Sequence, residues 1–382
     1  MPLTPIRRVV TGTDVSGKSM VVWDGPSPGT HESNFSGRGH TDFWVWRETP
    51  SPLDGKEDAG TWDDEFPNPE GGGHQRVVHW LPKTDDSPPN DPYKDPESHG
   101  RTWDRGGGND YNRSYMHKTK SLDYGIMISG ERLIELDDCT LSLKPGDIII
   151  DVGAWHLWDS SKKGCMMAFD MFDAEFVDGP AGTVQGNDKP MQAKESQSLP
   201  PGVKPQRRIV AVDREAGKSS LVGDGYSPDV RIDMARPGFA LQRMWVVDSM
   251  PAKLVYETLH LPNVIVPPKN GSVLNVITFP PDADWQGKVN SDDVAAYFKS
   301  LNAPNASTYD SNTPHPYMQR TRTLDFCIVL EGEITLVLDT QEVNLEKGDF
   351  VVQRGANHSW SNRTSKPAVV SIASHDAKYE LG

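Results

Sequence analysis

Four side chains carry the chemistry that this sequence offers: His117, Thr119, Asp123 and His156. The first three share parity along what reads as one strand. Alternate residues of a strand face the same way, so these three should project together, with His156 arriving from a facing strand. Two imidazoles and one carboxylate with open coordination positions suit a single divalent ion, Fe, Mn or Zn. Without a metal, His117, Asp123 and His156 remain an acid/base set, with burial and the carboxylate moving the imidazole pKa values in opposite directions. His156 and Asp123 can also be a satisfied buried pair with no part in catalysis. Tyr115, Met127, Trp155 and Trp158 flank the set; they are expected to line an apolar pocket for an aromatic or polyketide-like molecule or to pack around it.

The elements that must position these residues are written twice. Arg7-Arg8-Val9-Val10 returns as Arg207-Arg208-Ile209-Val210, and Gly17-Lys18-Ser19 as Gly217-Lys218-Ser219, at an offset of 200. Farther on, Ser121 to Glu131 aligns with Thr323 to Glu333 with five identities in eleven. Gly146-Asp147, Gly153, His156 and Trp158 then match Gly348-Asp349, Gly355, His358 and Trp360, at an offset of 202. A duplication of this extent predicts two like units, 1–178 and 206–382, joined by a linker over 179–205. Within each unit the apolar residues alternate, as at Ile334, Leu336 and Leu338, and turns such as Lys144-Pro145-Gly146-Asp147 punctuate them. With 34 Gly and 31 Pro in 382 residues, the chain reads as all-β. One helix is expected, over 292–301; its counterpart in the first copy is a polar, Pro-rich loop between Pro82 and Tyr111, a candidate lid.

These features resemble the cupin superfamily of small jelly-roll-like barrels (double-stranded β-helices), here duplicated as a bicupin. The first cupin motif runs His-x-His, then Glu, then a Gly seven residues later. Gly130 and Gly332 set Asp123 and Asp325 at the Glu position, His117 at the first His and Thr119 at the second. The second motif is met by Gly146-Asp147, Gly153 and His156, and by Gly348-Asp349, Gly355 and His358. The opening Arg-Arg-Val-Val, the Asp-Gly-x-x-Pro and the Met116-His-Lys-Thr segment resemble a subgroup of bacterial and fungal cupin-domain proteins. The resemblance implies two tandem cupin barrels and, in the first, a metal site on His117, Asp123 and His156. In the second copy Gln319 replaces the first His, so that site is expected to be degenerate. The readings in competition are metal-assisted oxygenase or lyase chemistry, metal-free cyclisation, dehydration or isomerisation, and a non-catalytic binding or storage barrel.

Composition excludes other classes. Acidic residues exceed basic ones by 54 to 39, a formal charge of −15 that repels phosphate backbones and anionic lipid surfaces, so neither nucleic acid nor membrane is an expected partner. A small-molecule substrate is expected, with a homodimer as the oligomer to look for. Three scattered cysteines fit no disulfide framework, and Met1 to Arg8 holds no apolar signal segment, so a cytoplasmic location is expected. Gly12-Thr-Asp-Val-Ser-Gly-Lys-Ser19 spells a phosphate-loop motif, but Met20-Val-Val-Trp-Asp-Gly reads as a strand where a nucleotide site needs a helix, so no nucleotide is expected. His31, His40, His74, His79 and His99 show no metal-ligand spacing on any one element.

Overall fold

The computed structural model describes residues 3–62, 66–86, 88–108, 112–176 and 199–379. Alternating apolar residues there form strands almost throughout. The repeat is visible as two large sheets, one of ten strands and one of nine. The ten-stranded sheet holds the site-bearing strands Ser121–Glu135, Ile148–Val152 and Leu157–Glu175, then Gly73–Trp80 and Gly39–Trp46. The nine-stranded sheet repeats that order with Thr323–Glu331, Phe350–Arg354, Ala368–Lys378, Ser272–Phe279 and Ala240–Val247.

Each sheet takes its opening hairpin from the other copy. Arg7–Thr13 runs parallel to Phe350–Arg354, with Arg8 opposite Phe350. Arg207–Glu215 runs parallel to Ile148–Val152, with Arg208 opposite Ile148. The repeat offset alone does not reveal this exchange, because both copies carry the same Arg-Arg strand and either could pair with either sheet. A buried ion pair locks the crossing: Lys118 Nζ donates to Asp213 Oδ2 at 2.6 Å, and both side chains are about 1% exposed. The expected linker, 179–205, lies outside the described residues up to 198.

The phosphate-loop string forms the turn of the first exchanged hairpin, between Arg7–Thr13 and Ser19–Pro26. Gly17 sits at φ +83°, and Ser19 is held by Asp339, so the segment presents a turn and no helix N-terminus. The first-motif Gly has a steric cause: Gly130 lies at φ +76° and a Cβ there would run into the Gly164 carbonyl.

The expected helix is α1, Ser291–Ser300. Asn290 caps it, its side chain accepting from the Asp292 and Asp293 N–H groups while the Asp293 carboxylate accepts from the Asn290 N–H. Val294, Tyr297 and Phe298 bury its inner face. Its counterpart differs from the expected loop. Tyr93–His99 and Thr102–Gly106 form a hairpin whose second strand pairs with His117–Thr119, and Trp103 packs under Met116, Trp155 and Leu157. The segment is thus a paired hairpin with an indole anchor, and none of its residues lines the cavity of His117 and His156.

Candidate active site

His117 and His156 meet through their backbones, each N–H donating to the other's carbonyl at 2.9 Å, which sets the ring centroids 4.3 Å apart. His117 Nδ1 lies 2.8 Å from the Tyr115 carbonyl, and His156 Nδ1 lies 2.9 Å from the Ala154 carbonyl. Carbonyls only accept, so each Nδ1 carries a hydrogen and each Nε2 is left for the cavity that both residues line. That cavity measures about 430 Å³, and Thr119, Asp123 and Trp158 line it as well.

The partner of His156 is a residue that the sequence reading missed. Asp151 Oδ2 lies 2.7 Å from His156 Nδ1, with both side chains about 5% exposed or less. Burial works to lower the pKa of His156, but the Asp151 carboxylate prevails and holds it up at about 9. Burial and the neighbouring His156 push His117 down to about 3. Asp123 faces Asp151 directly across the strand pair, and burial together with that second carboxylate pushes it up to about 8. At neutral pH the site therefore holds a neutral imidazole, an imidazolium on a carboxylate, and a protonated acid. Asp123 is consequently not the buried partner of His156; strand pairing assigns that place to Asp151, a lone acid in the apolar run Ile148-Ile149-Ile150.

Three expected lining residues are elsewhere. Tyr115 is exposed, and its carbonyl accepts from His117 Nδ1. Trp155, next to His156 in a strand-like stretch, points the opposite way into the cluster of Met116 and Leu157. Met127 has the parity of Asp123 but lies four residues along the strand, packed beneath the cavity with Ile149 and Met167. Residues not anticipated take their place: Arg132, Arg76, Trp80 and Phe169 line the cavity, with Phe66 at its mouth beside His117. Arg132 lies in the strand of Asp123, and its one signal was a cation among the apolar residues of that strand.

Among the described residues, the His, Cys and acidic trios whose ligand atoms all lie within 4.8 Å of one another are His31–His40–Asp42 and Glu97–His99–Asp104. His31 and His40 are exact register partners across a hairpin, which spacing on one element could not show. Asp42, however, is already engaged by Arg76 through two bonds of 2.6 and 3.0 Å. His117, Asp123 and His156 are not such a trio, although Asp123 Oδ1 is buried without a hydrogen-bond partner. As folded, the site fits two imidazole ligands and lacks a third within reach.

The second copy is an internal comparison. Gln319 stands for His117 and reaches His358 Nε2 at 3.3 Å, and Gln353 stands for Asp151 opposite Asp325. Without that carboxylate, burial lowers His358 to about 4. The cavity there shrinks to about 40 Å³. Arg236 fills it, its guanidinium 3.5 Å over Tyr317, 4.0 Å over Phe239 and 4.4 Å over Tyr297 of α1. A larger cleft of about 610 Å³ near Trp23 and Arg354 contains no histidine.

A family model described as "Cupin domain" matches residues 308–374. Over 48 residues the chain is 54% identical to phomopsin biosynthesis cluster protein D of Diaporthe leptostromiformis, 12% of this chain and 25% of that protein. Over the same length it is 50% identical to oryzines biosynthesis cluster protein J of Aspergillus oryzae and 46% identical to the cupin-domain-containing oxidoreductase virC of Hypocrea virens, covering 12% of this chain and 27% and 25% of those proteins. The matched segment thus spans about a quarter of the length of these relatives. Among solved structures, a glyoxylate-induced protein from Pseudomonas aeruginosa aligns over 93% of this chain and 87% of its own at 11% identity and a TM-score of 0.40. Oxalate decarboxylase from Lactobacillus farciminis aligns over 92% and 85% at 10% identity and 0.34. Those values are too low to transfer a site or a reaction. No helix among the described residues is long and apolar enough to cross a membrane.

Proposed function

We propose that the chain is a duplicated, two-barrel member of the cupin superfamily and an enzyme that moves protons on a small molecule held in the N-terminal barrel. One observation carries this reading. Two imidazoles, His156 buried and His117 partly exposed, both anchored through Nδ1, line one cavity with their Nε2 atoms free of those carbonyls, and of the two His156 alone has a carboxylate within 4 Å among the described residues. The difference assigns the roles: His117 Nε2 offers a lone pair and takes a proton from the substrate, and His156 Nε2 offers a hydrogen to the oxygen that gains charge. An isomerisation returns both protons to one product; a dehydration releases the second with the departing hydroxyl as water. Protonated Asp123 is a further donor at the cavity wall. The N-terminal unit, 1–178, is the active one, and the C-terminal unit, 206–382, completes its sheet with the hairpin that begins at Arg207.

The test is mass-spectrometric. Wild type and His117→Gln are incubated in deuterated buffer with a panel of aromatic and polyketide-like ketones, enols and β-hydroxy compounds. Deuterium uptake, or a product isobaric with substrate or lighter by one water, is expected only from wild type. A product that gains an oxygen atom, or equal turnover by the variant, refutes proton transfer. A second reading, a divalent Fe, Mn or Zn ion on His117 and His156 with Asp123 swung in as third ligand, is favoured by the unpartnered Asp123 Oδ1. When bound, such an ion would supply Lewis-acid chemistry. Elemental analysis of the untagged protein decides: stoichiometric metal that is lost in His117→Gln supports this reading over the first.

A further inference from the structure

Arg132 is 2% exposed, yet it lines the cavity. Its guanidinium lies 3.7 Å over the Trp80 ring and 5.7 Å from that of Trp158. Among the described residues its guanidinium makes one hydrogen bond, Nη1 to Cys165 Sγ at 4.0 Å, a weak contact. No carboxylate among the described residues forms an ion pair with it. Asp159, the acid whose field reaches it, is held by Lys83 at 2.9 Å and Arg113 at 3.4 Å. Burial lowers its pKa to about 10, so it is still a cation at neutral pH. A buried cation without a counter-ion is costly, and structures that keep one ordinarily provide an anion.

The second barrel holds a buried arginine that has its acid, at a different place in the repeat, since the counterpart of Arg132 there is Ile334. Arg236, equally buried and stacked on aromatic rings, has Asp233 at 2.7 Å, and its cavity measures only about 40 Å³. In the first barrel an aromatic cradle is present, no acid among the described residues pairs with Arg132, and the cavity is open. Arg76 cannot substitute, because Asp42 already occupies its fork. Trp158 sets the distance to the chemistry: its ring is 5.5 Å from that of His156 on one side and 5.7 Å from the guanidinium on the other.

We propose that Arg132 is the substrate's anchor and that the substrate is an aryl carboxylic acid, its carboxylate on the guanidinium and its ring along Trp158, with the reacting carbons at His117 and His156. This deepens the proton-transfer reading and rests on it for the reacting end only. Planar, bidentate carboxylate recognition suits arginine, and Trp80 behind the fork keeps it flat.

The experiment measures binding, not turnover. Benzoate, trans-cinnamate and 1-naphthoate, each beside its neutral primary amide, are titrated calorimetrically into wild type, Arg132→Met, Arg132→Lys and His117→Gln. At least one acid should bind wild type tenfold or more tightly than its amide. Arg132→Met should erase that preference with little change for the amide, and Arg132→Lys should keep part of it. His117→Gln should retain it in full, so loss of turnover there with the preference intact separates the chemistry from the anchor. No acid preference anywhere in the panel overturns the proposal. So does an undiminished preference in Arg132→Met or, should that variant not fold, in Arg132→Lys.

Discussion

Replacing Asp151 by Gln makes the first site imitate the second, where Gln353 holds the same place opposite Asp325. His156 and His358 are both 4% exposed and both bond a carbonyl through Nδ1, so the carboxylate is the main difference between them. In wild type, His156 is held at about 9 against an ordinary 6.5; in Asp151→Gln it should fall below 6.5, toward the value of about 4 that burial imposes on His358. Raising an imidazole from 6.5 to about 9 is worth ~3 kcal/mol, within the range for breaking a buried ion pair. The sign follows from linkage. In wild type this stability is fully present below pH 6.5 and is lost as pH rises through about 9. In the variant the folded pKa lies below the unfolded one, so the contribution is present above ~6.5 and is lost as pH falls toward 4. Asp123 should move in parallel, from about 8 toward the value of about 6 held by Asp325. The assay is NMR of ¹³C-labelled histidine over pH 4 to 10, assigned with His156→Gln, beside urea midpoints at pH 6 and 9.5. The variant should lose ~3 kcal/mol at pH 6 and clearly less at pH 9.5. A wild-type His156 titrating near 6.5, or a variant His156 still above 8, refutes the account.

His117→Gln should shift the thermal midpoint little, within ~1 kcal/mol, because Gln319 and His358 already make the same backbone bridge at 2.8 and 2.9 Å; calorimetry checks it. Lys118→Met should cost ~3 to 5 kcal/mol by stranding Asp213, and Lys118→Met with Asp213→Leu should recover much of it, read from urea midpoints of the three proteins. Asn290→Ala should destabilise by ~1 kcal/mol through loss of the α1 cap, measured the same way. Equilibrium dialysis should find no saturable ATP binding that depends on Lys18, because its segment is a hairpin turn.

What the sequence by itself determined is what repeats or alternates locally. The duplication, the strand class, α1 with its Asn290 cap, and the equivalence of His156 with His358 were all legible, because each depends on residues a few positions apart or on identity between copies. His117, Thr119 and Asp123 do line one cavity, but on two strands of different sheets, His117–Thr119 and Ser121–Glu135, and not on the single strand that parity assumed. Only the tertiary structure decided which acid stands behind His156, because Asp123 and Asp151 become neighbours through strand pairing across 28 positions of chain. The same non-local pairing carries each opening hairpin to the other copy's sheet and brings His31 opposite His40. It also sets Arg132 between two indoles, whereas the pairing of Arg236 with Asp233, three residues away, is local. Local pattern specifies which face a side chain takes; the company it keeps on that face is set by strands distant in sequence, and the pKa values and the open cavity follow from that company.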